Sequence, residues 1–165
     1  MRTEEMAALI LKASSIPSEG FPIQIGGSQT MDELVAAGNY DGVHSLINQE
    51  NFPVKQQSPF EVWIELVGLD RIATSEDAVV EFKKRGLRQP NPEEAVRFGE
   101  QYPDAQRHRP IVWPHQPFNH PFDGSRRVFV HFGGTGYRSL DLYIDSAWGA
   151  YCVFAGVREE VSRQE

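Results

Sequence analysis

RHRPIVWPHQPFNHPFDG, residues 107–124, carries three of the chain's histidines, His108, His115 and His120, among four prolines, with a further histidine downstream at His131. Proline locks its own φ and brings no backbone N–H. Pro110, Pro114, Pro117 and Pro121 therefore predict an extended, surface-running connection between a helical part upstream and a sheet downstream. The same spacing raises the question of whether the imidazoles converge on a metal or a reacting group, or are merely displayed along a loop.

Downstream of the stretch, RRVFVHF, RSLDLYID and AYCVFAGVR read as three strands joined by GGTG and SAWG. Upstream, FEVWIELVGL alternates, with Phe60, Val62, Ile64 and Leu66 on one face and Glu61, Trp63 and Glu65 on the other. Three segments read as capped helices. TMDELVAAGNYD has Thr30 and Glu33 as a capping box and Gly38 as a stop, and TSEDAVVEFKKRG starts at Thr74 or Ser75 and ends at Gly86. NPEEAVRFGEQYP combines Asn91, Pro92 and Glu94 at its start and is closed by Pro103. A further helix is expected over residues 3–14, with Met6, Leu9, Ile10 and Ala13 as its apolar stripe, and FPIQI follows as a short strand. The class is α+β, with helices in the first two thirds and an antiparallel sheet formed mainly by the C-terminal third. A single domain over residues 1–165 is expected, within which residues 1–51 form a small helical subdomain.

The 165 residues are enough for one hydrophobic core without disulfide or metal staples. Acidic residues outnumber basic ones by 23 to 16, and the net charge of -7 repels phosphate backbones and anionic lipid at long range, so neither nucleic acid nor membrane is the expected partner. Glutamates stand where a secretion signal needs positive charge, and no apolar run reaches the ~20 residues of a spanning helix, so the expected location is cytoplasmic. The lone cysteine, Cys152, reads as a small buried thiol.

Several chemistries lack a local signature. The histidine spacings match neither a pair one helical turn apart nor the close Cys/His pairs of structural zinc sites. Glu61 with Glu65, and Asp141 with Asp145, are each separated by ~13 Å of strand, beyond the separation of glycosidase carboxylates. GGTG joins two strands instead of opening a helix, which makes it a hairpin turn and not a phosphate loop. No catalytic residue, metal ligand or cofactor is assigned on this basis. The C-terminal third concentrates aromatic and arginine side chains of the kind that dominate binding hot spots. Trp113, His115, His120, Arg127, His131, Tyr137, Arg138, Tyr143 and Trp148 are the ligand-binding candidates.

Over residues 30–159 the chain resembles an uncharacterised family of small, multi-copy bacterial proteins. The resemblance lies in MDELVAAGNYDGV, the NFPV loop, FEVWIELVGLDR, KKRGLRQPNPEEAVRFGEQYPDAQRHRPIV and LDLYIDSAWGAYCVFAGVRE. That family has no assigned activity, and its members vary most in the part that corresponds here to residues 113–151. A weaker resemblance, carried by LRQPNPEEAVRFGEQY followed by strands around Trp148, is to C-type-lectin-like domains, which implies a variable binding surface on a small sheet.

The function expected from these readings is a non-enzymatic binding module that presents the aromatic and arginine surface to a protein or small ligand. The alternative is a metal-assisted hydrolase using His115, His120 and His131 with Asp141 or Asp145. A third reading is a structural or assembly protein with Trp63 and the N-terminal helix at an oligomer interface; oligomeric state is not legible in the sequence.

Overall fold

A computed structural model describes residues 20–159, so the helix expected over residues 3–14 lies outside the described residues. In order, the elements are β1 (Phe21–Gly27), α1 (Met31–Ala37), β2 (Gly42–Val43), β3 (Gln57–Gly68), β4 (Ala73–Thr74), α2 (Ser75–Lys84), β5 (Leu87–Arg88), α3 (Pro92–Gln101), β6 (Ile111–Asn119), β7 (Arg126–Gly134), β8 (Tyr137–Ile144), β9 (Ala147–Trp148) and β10 (Val153–Arg158). The chain is α+β and mostly sheet.

Each helix begins where its side chains satisfy its own first N–H groups. Thr30 with Glu33, Thr74 with Asp77, and Asn91 with Glu94 all form reciprocal capping boxes. The end of α1 differs from the glycine stop expected at Gly38. Gly38 is right-handed, and the left-handed residue is Asn39, at φ 50°. Gly38 lacks a side chain for a packing reason, since a Cβ there would collide with the Tyr40 ring.

The main sheet runs β1-β3-β10-β6-β7-β8-β2, with β5 beside the second half of β10, and β4 and β9 form a separate two-stranded ribbon. It is a mixed sheet and not the antiparallel one expected, because β10 runs parallel to β6 and β2 runs parallel to β8. The C-terminal third supplies β6, β7, β8 and β10, while β1, β2 and β3 contribute both edges and one side of the centre. The segment before residue 51 thus enters the same sheet as the rest of the described chain.

The larger correction concerns residues 107–124. They contain β6, whose first five residues, Ile111 to His115, are all buried, because helices cover both faces of the sheet there. On one face, Ile111, Trp113, Phe129, Leu140 and Ala155 pack with Met31, Leu34, Val96 and Phe98 from α1 and α3. On the other, Val112, Val128, Val130 and Phe154 pack with Ala78 and Phe82 from α2 and with Trp148 and Cys152. Cys152 is the buried thiol expected, its pKa pushed up by burial.

An edge strand exposes unpaired backbone groups and invites pairing with another chain. On β1 this edge is closed by side chains of α3. The Tyr102 hydroxyl donates to Pro22 O, Gln101 both accepts from the Gln24 N–H and donates to Gln24 O, Glu93 accepts from the Gly26 N–H, and Arg97 Nη2 donates to Gly26 O at 2.6 Å. Arg97 is buried and also binds Glu93 at 2.7 Å. At the opposite edge, Asp41 brackets Arg138 by accepting from its N–H and donating to its carbonyl, and Arg127 Nη1 donates to Leu142 O. Among the described residues no helix is long and apolar enough to cross a membrane.

Removing one partner of a buried ion pair strands the other, a cost of about 3–5 kcal/mol. Arg97→Ala is therefore expected to lower the unfolding free energy by that order in urea titration and to promote association through the uncovered β1 edge. Loss of less than about 1 kcal/mol would contradict the assigned role of this network.

Candidate functional site

The irregularity of β6 creates the site. Trp113 pairs with Phe129 and Phe118 with Arg127, so residues 114–117 on β6 stand opposite Val128 alone on β7. Pro114 and Pro117 have no N–H to give to a ladder, and the strand bulges where they fall. His115 fills the break. Its Nε2 accepts from the Phe129 N–H at 2.9 Å, and its Nδ1–H donates to Gln116 O at 2.7 Å. Burial pushes its pKa down to about 4, so the ring is neutral and both nitrogens are engaged.

The parallel pairing of β6 with β10 covers only Ile111 and Val112, after which the side of β10 is taken over by β5 at Val157 and Arg158. Gln89, just after β5, closes the gap by donating Nε2–H to Pro114 O at 3.0 Å. Over this split lies a cleft of about 340 Å³. Ser75, Glu76, Val79 and Val80 of α2 form one wall, Gln89, His115, Gln116 and Pro117 the floor, and Arg126 with Asp145 the far side. The volume falls within the range of small-ligand sites, and strand divergence is where open sheets place them.

Inside the cleft, Ser75 Oγ donates to Asp145 Oδ1 at 2.5 Å, and the Asp145 N–H donates to Arg126 O. Serine, histidine and aspartate thus line one cavity without the order that catalysis needs. The serine proton faces the carboxylate, and the histidine lone pair faces a backbone amide instead of the serine. Arg126 lies directly beyond the last β7–β8 pair, opposite Asp145, yet forms no ion pair within 4.0 Å among the described residues, and neither does Glu76. A larger cavity of about 460 Å³ beside Phe52 and Lys55 offers less. The Glu93 carboxylate on its wall is already committed to Arg97 and Gly26.

The residues expected to bind ligand do not come together. Trp113, His115, His131 and Trp148 are buried in the core and not on a surface. Trp113 Nε1–H donates to His131 Nδ1 at 2.7 Å, which places the His131 proton on Nε2, 3.0 Å from the Tyr40 hydroxyl. Burial, with the Arg138 charge nearby, pushes the His131 pKa down to about 3, and burial raises that of Tyr40. Gly99 makes room for this network: a Cβ there would overlap the Tyr40 hydroxyl and His131. Arg138 lies over the Tyr40 ring and donates to the carbonyls of Gly38 and Gly99.

Arg127 is held by Asp123, Ser125 and Leu142 O, and His120 sits at the β6–β7 turn with its Nδ1 accepting from the Phe122 N–H. Tyr137 and Tyr143 are exposed but occupy opposite ends of β8, the second in an aromatic row with Phe132 and Trp148. No group of three or more His, Cys, Asp or Glu side chains able to hold a metal exists among the described residues. Of the candidates read from sequence, only His115 lines the cleft. Arg126 and Asp145 carried a signal as members of the arginine and carboxylate sets, whereas nothing marked Gln89 and Gln116, which the β6 bulge and the β5 crossing bring together.

No family model matches the chain, and no curated protein or solved structure matches it at a significant level, so the reading of the site rests on its geometry.

The two buried histidines make stability sensitive to acid. Unfolded histidine titrates near 6.5, whereas His115 and His131 stay neutral in the fold to about 4 and about 3, so below pH 6.5 the unfolded chain binds more protons. Their stabilisation is complete above about pH 6.5 and is lost as pH falls toward the folded values. Urea titrations at pH 6.5 and 5 are expected to differ by about 3 kcal/mol, since each group contributes up to ~1.4 kcal/mol per pH unit. In His115→Leu the Phe129 N–H loses its partner, costing about 1–3 kcal/mol at neutral pH, and the pH dependence should fall to about half. An unchanged pH dependence would show that His115 is not neutral in the fold.

Proposed function

We propose that the protein is a non-enzymatic binding module whose ligand is a small molecule seated in the cleft between α2 and the bulged β6. The observation that carries this reading is the combination of an open cavity with charged groups that the fold leaves unused. Among the described residues Glu76 and Arg126 line the cleft without ion-pair partners, above the apolar side chains of Val79, Val80 and Pro117. Binding and not catalysis is favoured because His115 is consumed by the backbone and Ser75 by Asp145. The exposed ring of Tyr143 remains a surface feature, while Trp113, His131 and Trp148 serve the core.

Val80 is 57% exposed on α2, so Val80→Trp fills the cleft without entering the core. Small molecules that raise the melting temperature of the wild-type chain are expected to leave Val80→Trp unchanged, while the two proteins unfold at similar temperatures without ligand. Equal stabilisation of both by the same compounds would overturn the assignment of the cleft.

A further inference from the structure

The charges in the cleft are opposite in sign and neighbouring, and among the described residues no ion pair joins them. Arg126 and Asp145 are cross-strand neighbours, the arrangement in which an Arg–carboxylate pair forms readily. Instead the Ser75 hydroxyl draws Asp145 Oδ1 to the α2 side at 2.5 Å, and the guanidinium is left free among the described residues. Glu76, on the same wall as Ser75, adds a second carboxylate without an ion pair. The cleft therefore presents a planar five-donor cation on one side and two carboxylates on the other, separated by more than the 4.0 Å of a salt bridge.

We infer that the cleft binds a zwitterionic ligand of the amino-acid class, with its carboxylate on Arg126 and its ammonium between Glu76 and Asp145. The inference rests on the reading of the cleft as the ligand site. Arginine offers a carboxylate two parallel N–H donors, and an ammonium has three donors to share between the two acids. Asp145 keeps Oδ2 for this purpose because its other oxygen is held by Ser75. Val79, Val80 and Pro117 supply an apolar surface for an aliphatic side chain. A ligand with a single charge leaves either the guanidinium or the acid pair without a partner from the ligand, which is the basis of discrimination against it.

The test titrates L-leucine, N-acetyl-L-leucine and L-leucinamide into the full chain and reads binding from NMR chemical shifts. L-leucine is expected to bind in the millimolar range or tighter, and each singly charged derivative about tenfold more weakly. Arg126→Gln should abolish the preference for L-leucine over its amide, and Glu76→Gln should reduce the preference over its N-acetyl form. Equal affinity for the three compounds, no L-leucine binding up to tens of millimolar, or an unchanged preference in Arg126→Gln would each overturn the inference. Val80→Trp separates this failure from failure of the site: equal affinities that vanish in Val80→Trp leave the cleft standing and remove the ligand class, whereas binding that persists in Val80→Trp removes both.

Discussion

The hydrogen bond from the Phe129 N–H to His115 Nε2 is the contact on which this end of the sheet depends. A strand buried on both faces must pair its backbone groups, and β6 carries two prolines that offer no N–H. The imidazole replaces a ladder acceptor on one side, and the Gln89 amide satisfies the Pro114 carbonyl on the other. With these substitutions the strand bulges, pulls away from β10 and leaves room for β5, while staying in the core.

The cleft follows from that separation. Its floor is the bulge itself, one wall is the start of a helix fixed by the Thr74 capping box, and the far side is the open end of the β7–β8 hairpin. Groups distant in sequence, Ser75 and Asp145 above all, meet because β4 and β9 pair and bring the start of α2 to the end of β8. The one histidine in reach is spent on the backbone, and its neutrality is a consequence of the same burial that makes it useful as a structural acceptor.

The same principle of replacing backbone partners by side chains governs the edges. α3 lies beside β1 and works as a surrogate strand through Tyr102, Gln101, Glu93 and Arg97, and Asp41 and Arg127 do the same along β8. A sheet with both edges occupied in this way offers few unpaired backbone groups along its outer strands.

Local signals were legible wherever a neighbouring residue supplied the partner. The helix starts at Thr30 and Asn91, the strand through FEVWIELVGL and the GGTG hairpin depend on groups within a few residues of one another, and each stands where the sequence places it, although Phe60 is exposed and Glu65 buried against the alternation. Taken locally, the prolines of residues 107–124 mark a surface connection, because they remove ladder donors. Only the tertiary structure decided that the stretch is a central strand, because the compensating groups, Phe129 N–H for His115 and Gln89 for Pro114, come from 14 and 25 residues away. The parallel pairings and the cleft share that origin: they join segments whose spacing along the chain carries no period, and they exist only once both faces of the sheet are covered.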